Sequence, residues 1–152
     1  MRNYYIEINE YLYKLIKNTI FYDRNGILLN GVVLSITDIL VLKALGDDKE
    51  KKMYEIIDDL GLDRNTFATI INKLLQQQFI IKTKSKRDKR VQILSLTEKG
   101  QEAFCEISDK EKKILFSLLN DFSFNEEKAI LKFLVKLDML HKEKSKEQEE
   151  MQ

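Results

Sequence analysis

The chain has 152 residues, of which 43% are hydrophobic, and a formal net charge of +1. This length fits one domain, or one domain with an added oligomerisation element, and no uninterrupted apolar run is long enough to span a membrane. Charged residues interrupt the N-terminal segment, so we expect neither a signal peptide nor a transmembrane helix there. The single cysteine, Cys105, excludes an intrachain disulfide framework and leads us to expect a cytoplasmic protein.

A long amphipathic helix is predicted from roughly Asn3 to Tyr22. Its apolar residues recur at helical spacing, and charged residues fill the other side; the stripe consists of Ile8, Leu12, Leu15, Ile16 and Ile20. The turn signal Asp23-Arg24-Asn25-Gly26 ends this helix. The apolar stretch from Ile27 to Leu34 is short, and its pattern leaves its conformation open.

The next helix is predicted to start at Ser35. The Ser35 side chain can cap the first backbone N–H groups, and Asp38 stands at the favourable positive end of the helix dipole. The expected buried residues are Ile39, Leu40, Leu42 and Leu45. Gly46-Asp47-Asp48 then breaks the helical pattern.

Two further helices are separated by a short turn. The first runs from Met53 to Leu60, and Gly61 follows it, where a left-handed backbone reverses the chain at low cost. Asp63 caps the second, which runs from Arg64 to about Gln77. The first helix turns Ile56, Ile57 and Leu60 inward, and the second Phe67, Ile70, Ile71 and Leu74. This order is the helix-turn-helix pattern, although many helical hairpins share it.

A two-stranded hairpin with a basic tip follows directly. Phe79-Ile80-Ile81 is the first predicted strand, and the returning strand contains Val91, Ile93, Leu94 and Leu96. The connecting residues Lys82 to Arg90 hold six Lys or Arg and one Asp, a net charge of about +5 that leaves about −4 for the rest of the chain. A helix-turn-helix followed by such a hairpin is a winged helix, and its asymmetric charge can steer a polyanion to one face.

Two helices complete the chain. Thr97 caps a long one, Glu98 to about Asn120, and Ser123 with Glu126 forms a capping box at the start of the last, which runs to about His141. The charged segment after His141 is expected to fray. The expected apolar faces are Phe104, Ile107, Ile114, Leu115, Leu118 and Leu119 on the first helix, and Ile130, Leu131, Leu134, Leu137 and Leu140 on the second.

Three segments carry a family likeness: LSITDILVLKAL, EIIDDLGLDRNTFATIINKL and DKRVQILSLTEKG. They resemble the core of MarR family winged-helix transcription regulators, and the most specific part is Asp88-x-Arg90 followed by Leu96-Thr97-x-x-Gly100. The resemblance implies a mainly α fold with a small β-hairpin wing, in which a winged helix-turn-helix core is flanked by N- and C-terminal dimerisation helices. One departure is Ser85-Lys86, where the family often has an acidic residue and a proline, so this wing is more basic than usual.

The whole chain, residues 1–152, is expected to form a single MarR-like domain. Within it, residues 34–100 are the DNA-binding core, 1–33 and 101–145 the dimerisation helices, and 146–152 a frayed tail. A core of this size covers only part of the apolar surface of three extra amphipathic helices, so the residues also favour the homodimer that the resemblance implies.

The outward side of the second helix of the pair offers groups that suit a DNA groove. At 100° per residue, Asn65, Thr69, Asn72 and Gln76 lie opposite the core stripe, and Arg64, Thr66 and Lys73 flank them. The resemblance implies that Arg90 reaches the minor groove and that Asp88 orients it, while the neighbouring cations contact phosphates. The predicted DNA-binding residues are Arg64, Asn65, Thr66, Thr69, Asn72, Lys73, Lys84, Lys86, Arg87, Asp88, Lys89 and Arg90.

Other chemistry has little support in the sequence. The cluster Glu55, Asp58 and Asp59 is read as a solvated face, Cys105 as a structural residue and His141 as a solvated one, so no catalytic, metal or cofactor site is expected. The tyrosines of the first helix are read as packing residues, although such side chains can also line a pocket. The resemblance implies a small anionic or phenolic ligand, bound between the dimerisation helices and the winged helix.

We therefore expect a homodimeric transcription regulator that binds a palindromic double-stranded DNA site and acts as a repressor relieved by a small ligand. It is expected to be neither an enzyme nor a membrane protein. The alternative is a winged-helix protein-interaction module without specific DNA binding.

Overall fold

The computed structural model describes residues 4–46 and 50–151, with the side chains of residues 17–25 outside the description. Within these ranges the chain forms α1 (Tyr4–Asn25), β1 (Ile27–Leu29), β2 (Val32–Leu34), α2 (Ile36–Ala44), β3 (Lys51–Lys52), α3 (Met53–Leu60), α4 (Arg64–Gln76), β4 (Ile80–Lys84), β5 (Gln92–Leu96), α5 (Glu98–Leu119) and α6 (Phe124–Glu150). The expected mainly α fold with a small β wing is confirmed. The chain divides into two compact units, Met1–Ile107 and Ser108–Gln152. No helix in the described part is both long enough and apolar enough to cross a membrane.

The stretch whose conformation the sequence left open is a β-hairpin. Strands β1 and β2 pair antiparallel, with Leu28 opposite Val33. Asn30 and Gly31 between them have φ angles of 49° and 76°. Two consecutive left-handed residues are what the tight hairpin turn requires, because their twist matches that of the strands.

The predicted start of α2 is confirmed, and its buried face is partly corrected. The Ser35 hydroxyl accepts from the Asp38 N–H at 3.2 Å, and the Ser35 N–H donates to Asp38 Oδ2 at 2.9 Å. Leu40 was wrongly placed inside, since it is 41% exposed, and Val41 is buried instead. The buried stripe has the spacing i, i+3, i+4 and i+7 counted from Asp38, a charged residue that an apolar pattern leaves out. Asp47 and Asp48, from the predicted end of this helix, lie outside the described residues.

The helix-turn-helix has the predicted form. Helix α3 has the expected bounds, Gly61 has a φ of 60°, and the Asp63 side chain accepts from the Thr66 N–H at 2.9 Å. All four expected residues of α4 are buried: Phe67, Ile70, Ile71 and Leu74. They pack in one core cluster with residues of α2, α3, the hairpin, the wing strands and the first part of α5.

The wing is a three-stranded antiparallel sheet in the order β3-β5-β4. Strands β4 and β5 pair from Ile80 opposite Leu96 to Lys84 opposite Gln92. Strand β3, which the sequence did not predict, consists of Lys51 and Lys52 on the free edge of β5. Two lysines carry no strand pattern of their own, so their conformation depends on the pairing with β5.

Thr97 joins the wing to α5. Its backbone N–H donates to the carbonyl oxygen of Phe79 at 3.0 Å, and its hydroxyl donates to the carbonyl oxygen of Gln78 at 2.6 Å. The same hydroxyl oxygen accepts from the Gly100 N–H at 3.0 Å, as expected for a helix cap. The start of α5 is therefore fixed to the segment that leads into β4.

In the second unit, α6 is longer than predicted. The capping box is confirmed, because the Ser123 N–H donates to Glu126 Oε2 at 2.7 Å and the Ser123 hydroxyl accepts from the Glu126 N–H at 3.3 Å. The helix continues to Glu150, so the expected end near His141 was wrong. Fraying of the residues at the end of the chain stays a prediction. Its last turns are rich in Lys, Glu and Gln, which are strong helix formers, and Lys142 pairs with Asp138 one turn earlier at 2.9 Å.

Candidate nucleic-acid interface

Helix α4 presents a polar side opposite its buried stripe. Five of its six predicted DNA-binding residues are exposed: Arg64, Asn65, Thr66, Thr69 and Asn72. Gln76, on the same side of the helix, is also exposed. Their guanidinium, amide and hydroxyl groups can bond to base edges or phosphates. The structure thus brings these five side chains together on one helix, clear of the core.

Two hydroxyl groups on this side are already hydrogen-bonded within the chain. The Thr66 hydroxyl donates to Asp63 Oδ2, and the Thr69 hydroxyl donates to the backbone carbonyl oxygen of Asn65 at 3.1 Å. The hydrogen bond from the Thr66 hydroxyl, and then that from the Thr66 N–H, hold the pKa of the Asp63 carboxyl below its usual value. The carboxylate that caps α4 is therefore stabilised in its charged form at the end of the helix that would approach DNA.

Lys73, the sixth predicted residue of α4, has a different environment. Its ammonium forms an ion pair with Asp38 Oδ2 and donates to the carbonyl oxygen of Val33 at 2.8 Å. The Lys73 side chain is 37% exposed, whereas that of Asp38 is 3% exposed. We expected Lys73 to flank the DNA-facing side, but the structure turns its charge toward α2 and the hairpin.

Backbone hydrogen bonds order the tip of the wing. The Ser85 N–H donates to the carbonyl oxygen of Val91 at 2.9 Å, and the Val91 N–H donates to that of Asp88 at 3.0 Å. Asp88 Oδ1 accepts from the Arg90 N–H at 2.9 Å, and the Ser85 hydroxyl accepts from the Arg87 N–H at 3.3 Å. Asp88 thus acts on Arg90 through the main chain. All six predicted wing residues are exposed: Lys84, Lys86, Arg87, Asp88, Lys89 and Arg90.

The basic surface extends beyond the loop that the sequence singled out. Lys52, in strand β3, lies close enough to Arg87 for the guanidinium to oppose its charge. The pKa of Lys52 is nevertheless raised, first by a side-chain hydrogen bond with Tyr54 and then by electrostatic attraction to Tyr54 and Glu55. The pair Lys51-Lys52 just before α3 was the available sequence signal, and it was missed because these lysines are distant from the wing in sequence.

The remaining predicted features do not form a site in the described part of the chain. No group of three or more His, Cys, Asp or Glu side chains there could hold a metal ion. Asp58 and Asp59 are exposed, as expected for a solvated face, and Asp59 pairs with Lys51 at 3.7 Å. Cys105, read as a structural residue, is exposed on α5 rather than packed in the core.

The family model and the curated proteins that match this chain are transcriptional regulators. The family model described as "Transcriptional regulator SarA/Rot" matches residues 25–107, more than half of the chain. The HTH-type transcriptional regulator SarZ of Staphylococcus epidermidis is 29% identical over 96 residues, 63% of this chain, and SarZ of Staphylococcus aureus is 26% identical over the same length. The chain spans 62% of the length of these curated relatives.

Solved structures show the same fold. FabT of Streptococcus pneumoniae, determined in complex with DNA, superposes with a TM-score of 0.80 at 23% identity, covering 91% of this chain and 98% of FabT. MarR superposes with a TM-score of 0.66 at 23% identity, covering 84% of each chain. The resemblance stated from the sequence motifs is confirmed. With the match over residues 25–107, these findings show that the chain belongs to the SarA/Rot family of transcriptional regulators, which have a MarR-like winged helix.

Proposed function

We propose that this protein is a transcription regulator that binds specific double-stranded DNA sequences. The observation that carries the proposal is the pairing, in one winged helix, of an exposed polar side of α4 with an exposed cationic wing tip. The names of its relatives support it, since they are HTH-type transcriptional regulators, and FabT was solved with DNA bound.

Helix α4 is the proposed recognition helix. Residues near the N-terminus of such a helix approach base edges in the major groove first, so Arg64, Asn65 and Thr66 are the foremost candidates. Thr69 and Asn72 follow one and two turns later on the exposed side. An asparagine amide can bond adenine with two hydrogen bonds, and a guanidinium can bond guanine in the same way.

The wing is proposed to bind the DNA backbone and the adjacent minor groove. Arg90 is the proposed minor-groove residue, because a narrow A·T-rich groove concentrates negative potential that attracts a guanidinium. Asp88 fixes the backbone that carries Arg90. The cations that we assign to phosphates are Lys84, Lys86, Arg87 and Lys89. Phosphate contacts position a protein on the duplex but read little sequence.

We propose that the protein acts as a homodimer through residues 1–33 and 101–145, with residues 34–100 as the DNA-binding core. The described apolar side chains that each of these helices leaves exposed support a partner surface, because isolated chains rarely expose so many. They include Ile6, Ile8, Leu15 and Ile16 on α1, Ile114, Leu115, Phe116 and Leu118 on α5, and Leu131, Leu134, Leu137 and Leu140 on α6. A two-fold dimer would bind a palindromic operator with one half-site per protomer.

We also propose that the protein is a repressor that a small anionic or phenolic ligand releases from DNA. The likeness to MarR-type regulators supports this proposal, and so do the exposed aromatic rings of α1, which are suited to line a pocket for such a ligand: Tyr4, Tyr5, Tyr11 and Tyr13. A panel of hydroxybenzoates added to a preformed DNA complex tests it. Release of DNA at unchanged dimer content is the expected result, and retention with every compound would refute it.

The proposed function is tested by selecting bound duplexes from random DNA and then titrating the selected and a scrambled duplex by fluorescence anisotropy. We expect affinity for both to fall with salt, by a slope of roughly one unit in the logarithmic plot per phosphate contacted, and a preference for the selected duplex at every salt concentration. The spacing of the selected half-sites would also report the dimer geometry. Weak binding that is equal for all duplexes would favour the alternative, a winged-helix module that binds other proteins.

A further inference from the structure

A buried carboxylate lies behind the proposed recognition helix. Among the described residues, Asp38 is the one charged residue that is buried, with 2% of the whole residue exposed. An ionised carboxylate is costly to bury unless a cation and hydrogen-bond donors compensate it. Asp38 has both, since its Oδ2 atom accepts from the Ser35 N–H at 2.9 Å and pairs with the Lys73 ammonium.

The Lys73 ammonium joins three elements of the fold at one point. It extends from α4, pairs with Asp38 in the first turn of α2, and donates to the carbonyl oxygen of Val33 in β2 at 2.8 Å. The partners lie 35 and 40 positions away along the chain. These contacts therefore tie α4 to distant parts of the winged helix.

The buried side chains of α4 are all apolar. The buried residues Phe67, Ile70, Ile71 and Leu74 hold α4 in place, but hydrophobic packing has no strong directional preference. A charge-assisted hydrogen bond is directional. Lys73, which makes this bond, lies one turn after Thr69 and directly after Asn72 on the same helix. The contacts at position 73 therefore add a directional restraint on the rotation of α4 about its axis, and with it on the direction of the exposed side chains.

We propose that the Asp38–Lys73 ion pair is a positioning device that orients the recognition helix for reading base sequence, and that the Lys73 charge does not itself bind a phosphate. This inference rests on the proposed function and assigns a distinct role to a lysine that sequence pattern alone groups with the DNA contacts. Lys73 and Asp38 are positioning residues in this sense, because they act through the helix and not on the DNA.

The test uses the full-length chain and three variants: Lys73→Met, Asp38→Asn and the double variant. Methionine keeps most of the length of the lysine side chain without its charge, and asparagine keeps an oxygen that can accept from the Ser35 N–H. Affinities for the selected and scrambled duplexes are measured at several salt concentrations, alongside thermal melting. Lys89→Met is the matched control, since Lys89 is an exposed wing lysine and a proposed phosphate contact.

Lys73→Met is expected to lower affinity for the selected duplex at least tenfold, with the scrambled duplex and the salt slope unchanged. Lys89→Met is expected to lower affinity for both duplexes and to reduce the slope by about one. The double variant should have a higher melting temperature than Lys73→Met, because it has no unpaired buried carboxylate. Its preference for the selected duplex should stay as low as that of Lys73→Met.

Two results would overturn the inference. If Lys73→Met weakened both duplexes equally and reduced the salt slope by about one, Lys73 would be a phosphate contact. If the variants melted at lower temperature but kept the wild-type preference for the selected duplex, the pair would only stabilise the fold. If Lys73→Met does not fold, the inference is tested with Asp38→Asn and the double variant, by their preference for the selected over the scrambled duplex. If the wild-type protein bound the selected and scrambled duplexes equally, the proposed function itself would be refuted. The wild-type measurement therefore comes before the variants.

Discussion

Gly100 approaches the backbone of Phe79 so closely that a β-carbon at position 100 would lie 1.9 Å from the Phe79 carbonyl oxygen. The same oxygen accepts the backbone N–H of Thr97 at 3.0 Å, so the first turn of α5 lies directly against the chain that enters the wing. This contact gives a steric reason for the last glycine of the Leu96-Thr97-x-x-Gly100 motif.

Gly100→Ala should therefore be strongly destabilising. The added methyl group meets main-chain atoms, which cannot move aside as a flexible side chain can, and we expect a loss of about 3 kcal/mol in the free energy of unfolding. Urea unfolding followed by circular dichroism measures it. The matched control is Gly61→Ala, where nothing lies within 4 Å of the new β-carbon and only the left-handed φ of 60° is unfavourable, at about 1 kcal/mol. If both variants lost the same free energy of unfolding, the close contact at Gly100 would not be the cause of the destabilisation.

Arg90→Ala should weaken binding to the selected duplex while leaving the oligomeric state unchanged. Removing a guanidinium from the minor groove is expected to cost about 1–3 kcal/mol of binding free energy, and mainly for A·T-rich flanks. Arg87→Ala in the same loop is the comparison, because loss of a phosphate contact should weaken all duplexes alike. Anisotropy titrations and sedimentation measure both effects. Wild-type affinity in Arg90→Ala would remove this residue from the mechanism.

Asp88→Ala should reproduce much of the Arg90→Ala defect, although Asp88 carries the wrong charge to bind DNA. Its carboxylate accepts the Arg90 N–H at 2.9 Å, so its removal frees the main chain that holds the guanidinium. Asp88→Asn should restore most of the affinity, because the amide oxygen can accept the same hydrogen bond. Affinity that rises in Asp88→Ala would instead mean that Asp88 acts mainly by repelling phosphate.

The cap of α4 should make stability depend on pH through Asp63. Its pKa is lower in the folded protein than in the unfolded chain, so the unfolded chain takes up the proton first as pH falls. The stabilisation is present above the ordinary pKa of 3.8 and is lost as pH falls through the lower folded value. Urea unfolding of wild type and Asp63→Ala between pH 6 and 3 tests this. The free energies of unfolding of the two proteins should converge as pH falls. A difference that did not change with pH would show that the Asp63 carboxylate is not the source of this pH dependence.

Local patterns predicted the helix-turn-helix well. The apolar spacing of α4, the glycine at position 61 and the caps at Ser35, Asp63 and Ser123 are all set by residues within one or two turns of each other. The features that were missed depend on distant partners. Strand β3 exists because β5 offers it an edge, and Leu40 is exposed because Asp38 takes part in the buried stripe.

The candidate site shows the same division. Exposure of the wing tip and of one side of α4 followed from charge and helical period, whereas the position of the Lys73 ammonium did not. Its ion pair with Asp38 crosses 35 positions of sequence, and neither residue signals the other. A cationic side chain on a proposed recognition helix is thus the kind of residue whose role sequence pattern alone assigns least well.

The buried pair at positions 38 and 73 also constrains how this protein can change over generations. A single substitution at either codon leaves one ionic group without its counterpart, inside the fold at Asp38 or at its edge at Lys73. Lineages that lose one member should lose or exchange the other, so these two sites are expected to be inherited together as a unit.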